Sequence, residues 1–298
     1  MKQQYKGNLL LLLTAIIWGS ALVAQSVSMD LVGPFTFQCM RSILGTLALL
    51  PVAAVFRDKQ NPRLRTPAGR RDQRVCGLIC GVSFFVAGSF QQIGLCYTSP
   101  GKAGFITALY IVLVPLAGIF FGKRAGWHVW AGVLLALAGL YLLCVTEGFS
   151  IQLGDLLVFF SSFAFAVQIL AIDHYSGRVD GIKLSCTQFA INALLSGMGM
   201  LVFETPSLSA ILACWLPICY TGILSGGLAY TLQIIGQRYT GPIIASLLLS
   251  LESVFSVLFG WLLLNQALSG RELLGCALMF AAILLAQVVP ELGKKAQG

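Results

Sequence analysis

Charge is what this sequence lacks. Only 10% of its 298 residues are Asp, Glu, Lys or Arg, against about 25% in an ordinary soluble domain. A chain that is 57% apolar, with a mean hydropathy of +0.86, has too little polar surface to cover a water-soluble core. Histidine is nearly absent too; the two present, His128 and His174, fall near predicted helix ends. There is no H-E-x-x-H, no G-x-S-x-G and no G-x-x-x-x-G-K. These gaps argue against a zinc protease, a serine nucleophile and a built-in ATPase. No C-x-x-C pair occurs among the nine cysteines, and Cys76 and Cys80 are the closest pair. They read as small, reduced packing residues, with no disulfide framework and no metal site. No cofactor is implied, and no enzyme activity is expected.

Long apolar runs are what the chain has instead. A membrane-spanning helix needs roughly 20 apolar residues. Ten such runs are legible, at 8–26, 33–56, 75–97, 103–121, 127–145, 154–172, 184–203, 209–236, 242–264 and 271–289. They are continuous rather than alternating, which excludes a β-barrel. The longest polar stretch is 57–74, so no soluble domain is expected. Lys2 and Lys6 before the first run are compatible with a signal peptide, but no clear small-x-small cleavage site follows.

The net charge of +8 reports orientation rather than nucleic-acid binding. With the N-terminus inside, the inner loops hold sixteen Lys and Arg, including Arg57, Lys59, Arg63, Arg65, Arg70, Arg71 and Arg74. The outer loops hold two, Lys102 and Arg271. The positive-inside rule then selects ten spans with both termini inside.

Two strings recur 142 residues apart: "QQIGLCYTSP" from Gln91 and "QIIGQRYTGP" from Gln233. The match extends outward. "GNLLLLLTAIIWG" from Gly7 is similar to "GDLLVFFSSFAFA" from Gly154. The expected fold is all-α and integral to the membrane: ten transmembrane helices in two five-helix repeats, 1–148 and 149–298. Because five is odd, the second repeat enters from the opposite side. Inverted repeats of this kind are typical of secondary transporters, which expose a midplane site alternately to each side. The doubled strings become helical turns on opposite faces, with Gln91, Tyr97, Gln233 and Tyr239 as candidate gate residues and helix punctuation as the plainer alternative.

"IIWGSALVAQSV", "YTSPGKAGFITALYIVLVPLAG" and "ASLLLSLESVFSVLFGWLLLNQALSGRELLGCAL" resemble the EamA-type members of the drug/metabolite transporter superfamily. The resemblance covers essentially the whole chain. It implies a permease in a cell membrane, with many relatives exporting amino acids or other small metabolites from the bacterial cytoplasm. Two departures stand out. Asn265-Gln266 replaces the usual acidic string after helix 9, and Ser253 stands where the family has Pro.

Polar groups inside a span are costly, so each is a candidate for function. Glu252, near the centre of helix 9, has three readings: proton carrier, partner for a substrate amine, or structural acceptor. Arg41, the only basic residue well inside a span, either snorkels and packs, or meets a substrate carboxylate or Glu252. Trp18, Gln92, Tyr110, Gln168 and Tyr230 complete a candidate pocket of aromatic walls and hydrogen-bonding groups. In related folds, helices of these positions surround the cavity. The expected partners are a small-molecule substrate and the lipid bilayer. Proton coupling, and the choice between monomer and homodimer, stay open. A non-transporting membrane scaffold is the alternative function, and an intramembrane enzyme a weaker one.

Overall fold

The computed structural model describes residues 2–55, 66–98, 100–120, 126–144, 152–264 and 269–295. Among them every regular element is a helix. In chain order these are α1 (Lys2–Ser28), α2 (Pro34–Val55), α3 (Pro67–Leu95), α4 (Pro100–Thr107), α5 (Tyr110–Phe120), α6 (Trp127–Cys144), α7 (Leu153–Tyr175) and α8 (Gly181–Phe203). Then come α9 (Leu208–Ala213), α10 (Trp215–Cys219), a π-helical segment (Tyr220–Ala229), α11 (Tyr230–Gln237), α12 (Pro242–Leu249), α13 (Glu252–Leu264) and α14 (Gly270–Lys295). The basic stretch 57–65, Lys123-Arg124, the join at 146–151 and the Asn265-Gln266 departure lie outside the described residues.

Among the described residues, the apolar runs fall mainly on helix. Among the described residues, eight helical stretches are long and apolar enough to cross a bilayer: Gln3–Ser28, Pro34–Val55, Pro67–Leu95, Ala103–Phe120, Leu153–Tyr175, Gly181–Phe203, Trp215–Gln237 and Pro242–Leu263. Trp127–Leu142 is a shorter apolar helix. Burial is inverted relative to a soluble protein. Leu47, Leu78, Leu134, Leu194, Leu201 and Leu262 face outward, while Gln38, Gln92, Gln168, Gln188 and Asn192 are buried. Such a surface suits lipid, where outward leucines cost nothing and inward amides bond one another.

The most extensive pairings are α6 with α14, α3 with α7, and α2 with α8, while α1 lies along α13, α11 and the π-helical segment. The doubled strings explain two of these contacts. Gly94 of α3 lies against α7 so closely that a Cβ there would come within 2.9 Å of the Gly154 carbonyl oxygen. Gly236 of α11 lies against α1, where a Cβ would come within 3.1 Å of the Gly7 carbonyl oxygen. A hydroxyl then closes each contact. Thr98 donates to Asp155 Oδ1, and Thr240 donates to Asn8 Oδ1 at 3.0 Å. Each string therefore clasps its turn onto the first helix of the other half of the chain.

Two spans are broken in the same register. α4 gives way to α5 at Ala108-Leu109, and α12 gives way to α13 at Ser250-Leu251. At both breaks the backbone tightens to bonds three residues apart, Leu109 N–H to Ile106 and Leu251 N–H to Leu248. In the first span, Pro115 removes a donor nearly two turns beyond the break, inside α5. In the second, Ser246 and Ser250 hydroxyls bond the Ile243 and Leu247 carbonyls at 2.8 Å, the back-bonding that bends helices. Tyr110 and Glu252 are the first residues beyond the breaks.

Candidate functional site

The breaks position the site. Tyr110 and Glu252 stand 142 residues apart, the offset of the doubled strings, and they meet: Tyr110 OH donates to Glu252 Oε1 at 3.3 Å. Around them lies a small cavity of about 40 Å³, lined by Trp18, Leu22, Gln25, Arg41, Gln91, Thr107, Tyr110, Phe165, Ser225, Tyr230 and Glu252. That volume admits a few waters at about 10–15 Å³ each.

One wall is aromatic. Trp18 of α1 packs on Tyr230 of α11 with ring centroids 4.6 Å apart, and Tyr230 touches Phe84 at 4.8 Å and Phe189 at 5.3 Å. Phe165 of α7 packs on the same cluster. Beside it lies a polar group. Arg41 of α2 is 6% exposed and lies over the rings of Phe84 and Phe37, 5.6 and 5.8 Å from their centroids. Its Nη1 donates to Gln25 Oε1 at 2.8 Å and its Nη2 to Gln38 Oε1 at 3.5 Å, while Nε has no partner. Gln92 donates to the same Gln25 oxygen. Glu252 is 7% exposed. The two charges thus border one cavity, but Arg41 spends its bonds on neutral amides and Glu252 accepts from a phenol.

A close backbone contact holds Arg41 in place. Gly222 of the π-helical segment sits on α2, where a Cβ would lie 2.6 Å from the Arg41 carbonyl oxygen. That segment, in turn, carries Ser225 to the cavity.

Trp18, Tyr110, Tyr230, Glu252 and Arg41 come together at this cavity, as does Gln91, which donates to Thr107 Oγ1 at 3.0 Å. Gln91 was expected at a gate. Gln92 supports the site from behind through Gln25. Gln168 instead donates to Gln188 Oε1 at 3.1 Å and does not line the cavity. Gln233 is buried with Oε1 unpartnered, Tyr97 is exposed beyond α3, and the Tyr239 ring has the Lys6 ammonium 5.8 Å from its centroid. The common register of the breaks puts Tyr110 opposite Glu252.

Gln25 and Phe165 were not anticipated. A signal for each existed. Trp18, Leu22 and Gln25 follow the helical spacing of one face. Aligning Gly7 with Gly154 places Phe165 opposite Trp18.

The EamA-like transporter family model matches residues 5–145 and again 152–287. The chain belongs to the EamA-like transporter family. It is thereby a member of the drug/metabolite transporter superfamily and a multi-pass membrane protein. An uncharacterized transporter of Archaeoglobus fulgidus is 32% identical over 281 residues, covering 92% of this chain and 83% of that protein. A WAT1-related chloroplastic protein of Arabidopsis thaliana is 25% identical over 281 residues, covering 90% of this chain and 66% of that protein. A solved crystal structure superposes with a TM-score of 0.78 at 23% identity, covering 94% of this chain and 96% of its own, a likeness of fold. The relatives named are archaeal and plant proteins, so the resemblance extends beyond bacteria.

Proposed function

We propose that this EamA-family protein is a secondary exporter of small metabolites such as amino acids, working by alternating access around the cavity between its halves. The observation that carries this reading is the Tyr110–Glu252 bond, which joins two broken spans at one register of the chain. Broken helices around a shared site are the usual build of alternating-access transporters.

The chain is read as two inverted five-helix repeats, 1–148 and 149–298, with both termini in the cytoplasm. The paired clasps support this arrangement, since each fastens a turn of one half to the first helix of the other. In that topology Thr98–Asp155 closes the outer face and Thr240–Asn8 the inner face. Opening one clasp while the other holds exposes the cavity to one side only. A space of about 40 Å³ is far smaller than a metabolite, which supports reading this conformation as closed on both sides. The cavity also counts against a non-transporting scaffold, which needs no polar interior.

Reconstitution in liposomes tests the proposal. A panel of labelled metabolites is assayed with and without a proton gradient. Transport predicts that at least one member moves faster than in empty liposomes; a flat panel overturns the reading. Flux that ignores the gradient and survives Glu252→Gln rules out Glu252 as a proton carrier.

A further inference from the structure

A second, larger space lies on the other side of α1. Trp18, Leu22 and Gln25 turn one face of this helix to the small polar cavity. Ile16, Ser20, Val23 and Val27 recur at helical spacing on the opposite face and border a groove of about 660 Å³. Leu216, Pro217 and Tyr220 form its second side, and Phe259 and Leu263 of α13 its third. The groove and the cavity share no lining residue. Its size falls within the about 300–1,000 Å³ of small-ligand sites, but its chemistry is the reverse of the cavity's. Among its described lining residues none is charged, and only Ser20 and Tyr220 carry a polar side chain. Their donors are already spent. Ser20 Oγ donates to the Ile17 carbonyl oxygen at 2.9 Å, and the Tyr220 hydroxyl bonds Ser20 Oγ. A ligand that depends on hydrogen bonds or on a counter-charge finds no partner in this lining.

The groove opens where Val27, Leu216 and Leu263 are exposed, on the apolar surface that suits lipid. Water drawn into it would lack the about two to four polar partners that an ordered water needs. Left empty, its lining would forfeit dispersion contacts on one side. Hydrocarbon avoids both costs. The dimensions narrow the choice. From Ile16 to Val27, α1 advances about 16 Å at about 1.5 Å per residue. That is close to half of a hydrocarbon core of about 30 Å, the depth of one leaflet. We propose that this groove binds one acyl chain of a bilayer lipid, laid lengthwise between α1, α13 and the start of the π-helical segment. Recognition is by the chain and not by the headgroup, for which the lining offers no charge. The site stands apart from the cavity, and its occupation does not depend on the transport reading.

The test uses full-length protein washed free of lipid in detergent. Four probes vary the chemistry: dipalmitoyl phosphatidylcholine, dipalmitoyl phosphatidylglycerol, palmitoyl lysophosphatidylcholine and glycerophosphocholine, which has the headgroup without a chain. Binding is read as one-to-one adducts in native mass spectrometry and as a rise in melting temperature. The three chain-bearing probes should bind alike, and glycerophosphocholine should not bind. Ala24→Phe places a ring in the groove and should weaken the chain-bearing probes by about tenfold or more. Should that variant fail to fold, Val27→Trp fills the same groove from its exposed mouth and should do the same. Leu194→Trp, on the exposed face of α8 and outside the groove, should leave the adducts unchanged. Glycerophosphocholine binding as tightly as the lipids, no adduct with the unsubstituted protein, or adducts that persist in the folded groove variants overturns the proposal. So does a second copy of this chain as the occupant, seen as dimers of the washed protein that the groove variants dissociate.

Discussion

The two halves of this chain agree at the glycines and threonines that clasp the fold and differ at the two charges that border the cavity. Gly94 and Gly236 make equivalent approaches to Gly154 and Gly7, and Thr98 and Thr240 close equivalent clasps. At the breaks the register is still shared, yet the residues are Tyr110 on one side and Glu252 on the other. α2 and α8 begin at Pro34 and Gly181, the same 147-residue offset as Gly7 and Gly154, which sets Gln188 opposite Arg41. Each charge in the cavity thus faces a neutral counterpart in the other half. Shared residues serve packing, which both halves need. Unshared charges answer to something that is not symmetric, as a small molecule is not.

The harshest test of this comparison exchanges the unshared pair. Glu252→Tyr should lower flux by about 100-fold, since it removes a buried charge and crowds the break. Adding Tyr110→Glu should restore at least about tenfold of that loss, because the two positions face each other at one register. No recovery in liposome flux, with the protein folded, breaks the equivalence of the two sites.

A smaller effect separates two helix contacts. Gly222 meets the α2 backbone at Arg41, whereas Gly81 of α3 meets the side chain of Ile191 in α8. A backbone cannot swing aside, and a side chain can. Gly222→Ala should therefore destabilise by about 1–3 kcal/mol, and Gly81→Ala by less. Thermal melting of both variants decides it, and an equal loss would remove the special tightness assigned to the α2 contact.

The smallest effects lie at the clasps. Thr98→Val and Thr240→Val each remove one hydrogen bond, worth about 0.6 kcal/mol on average within membrane proteins. They should bias the protein in opposite directions. Labelling of a cysteine placed at the cavity by impermeant reagents should rise from the outer side for Thr98→Val and from the inner side for Thr240→Val. A rise on the same side for both contradicts opposite faces.

The spans and the doubled contacts are legible in the sequence because each leaves a local mark. Apolar runs show by composition, and Gly-x-x-Tyr-Thr recurs as letters. The breaks are far less legible. Ala108-Leu109 and Ser250-Leu251 are ordinary pairs, and the second depends on a hydroxyl choosing a carbonyl. The cavity is legible in its expensive residues, Glu252 and Arg41, which have no reason to sit in lipid. It is fainter in Gln25, which shares a helix face with Trp18 but whose role arises only once Arg41 and Gln92 converge on its oxygen. Gln168, equally polar and equally buried, finds Gln188 instead, and nothing in its sequence neighbourhood distinguishes the two cases.

The π-helical segment has a mechanical consequence of its own. Ten residues, Tyr220–Ala229, are wound wider and shorter than α, in which they would extend about 15 Å. Gly222, Gly226 and Gly227 lower the barrier to rewinding because they carry no side chains to repack. The segment is a reserve of length coiled into the middle of a span. Rewinding it as α-helix would lengthen the stretch between Pro217 and Tyr230 and would shift Gly222 against the Arg41 carbonyl, so the length of this span and its contact with α2 are tied together.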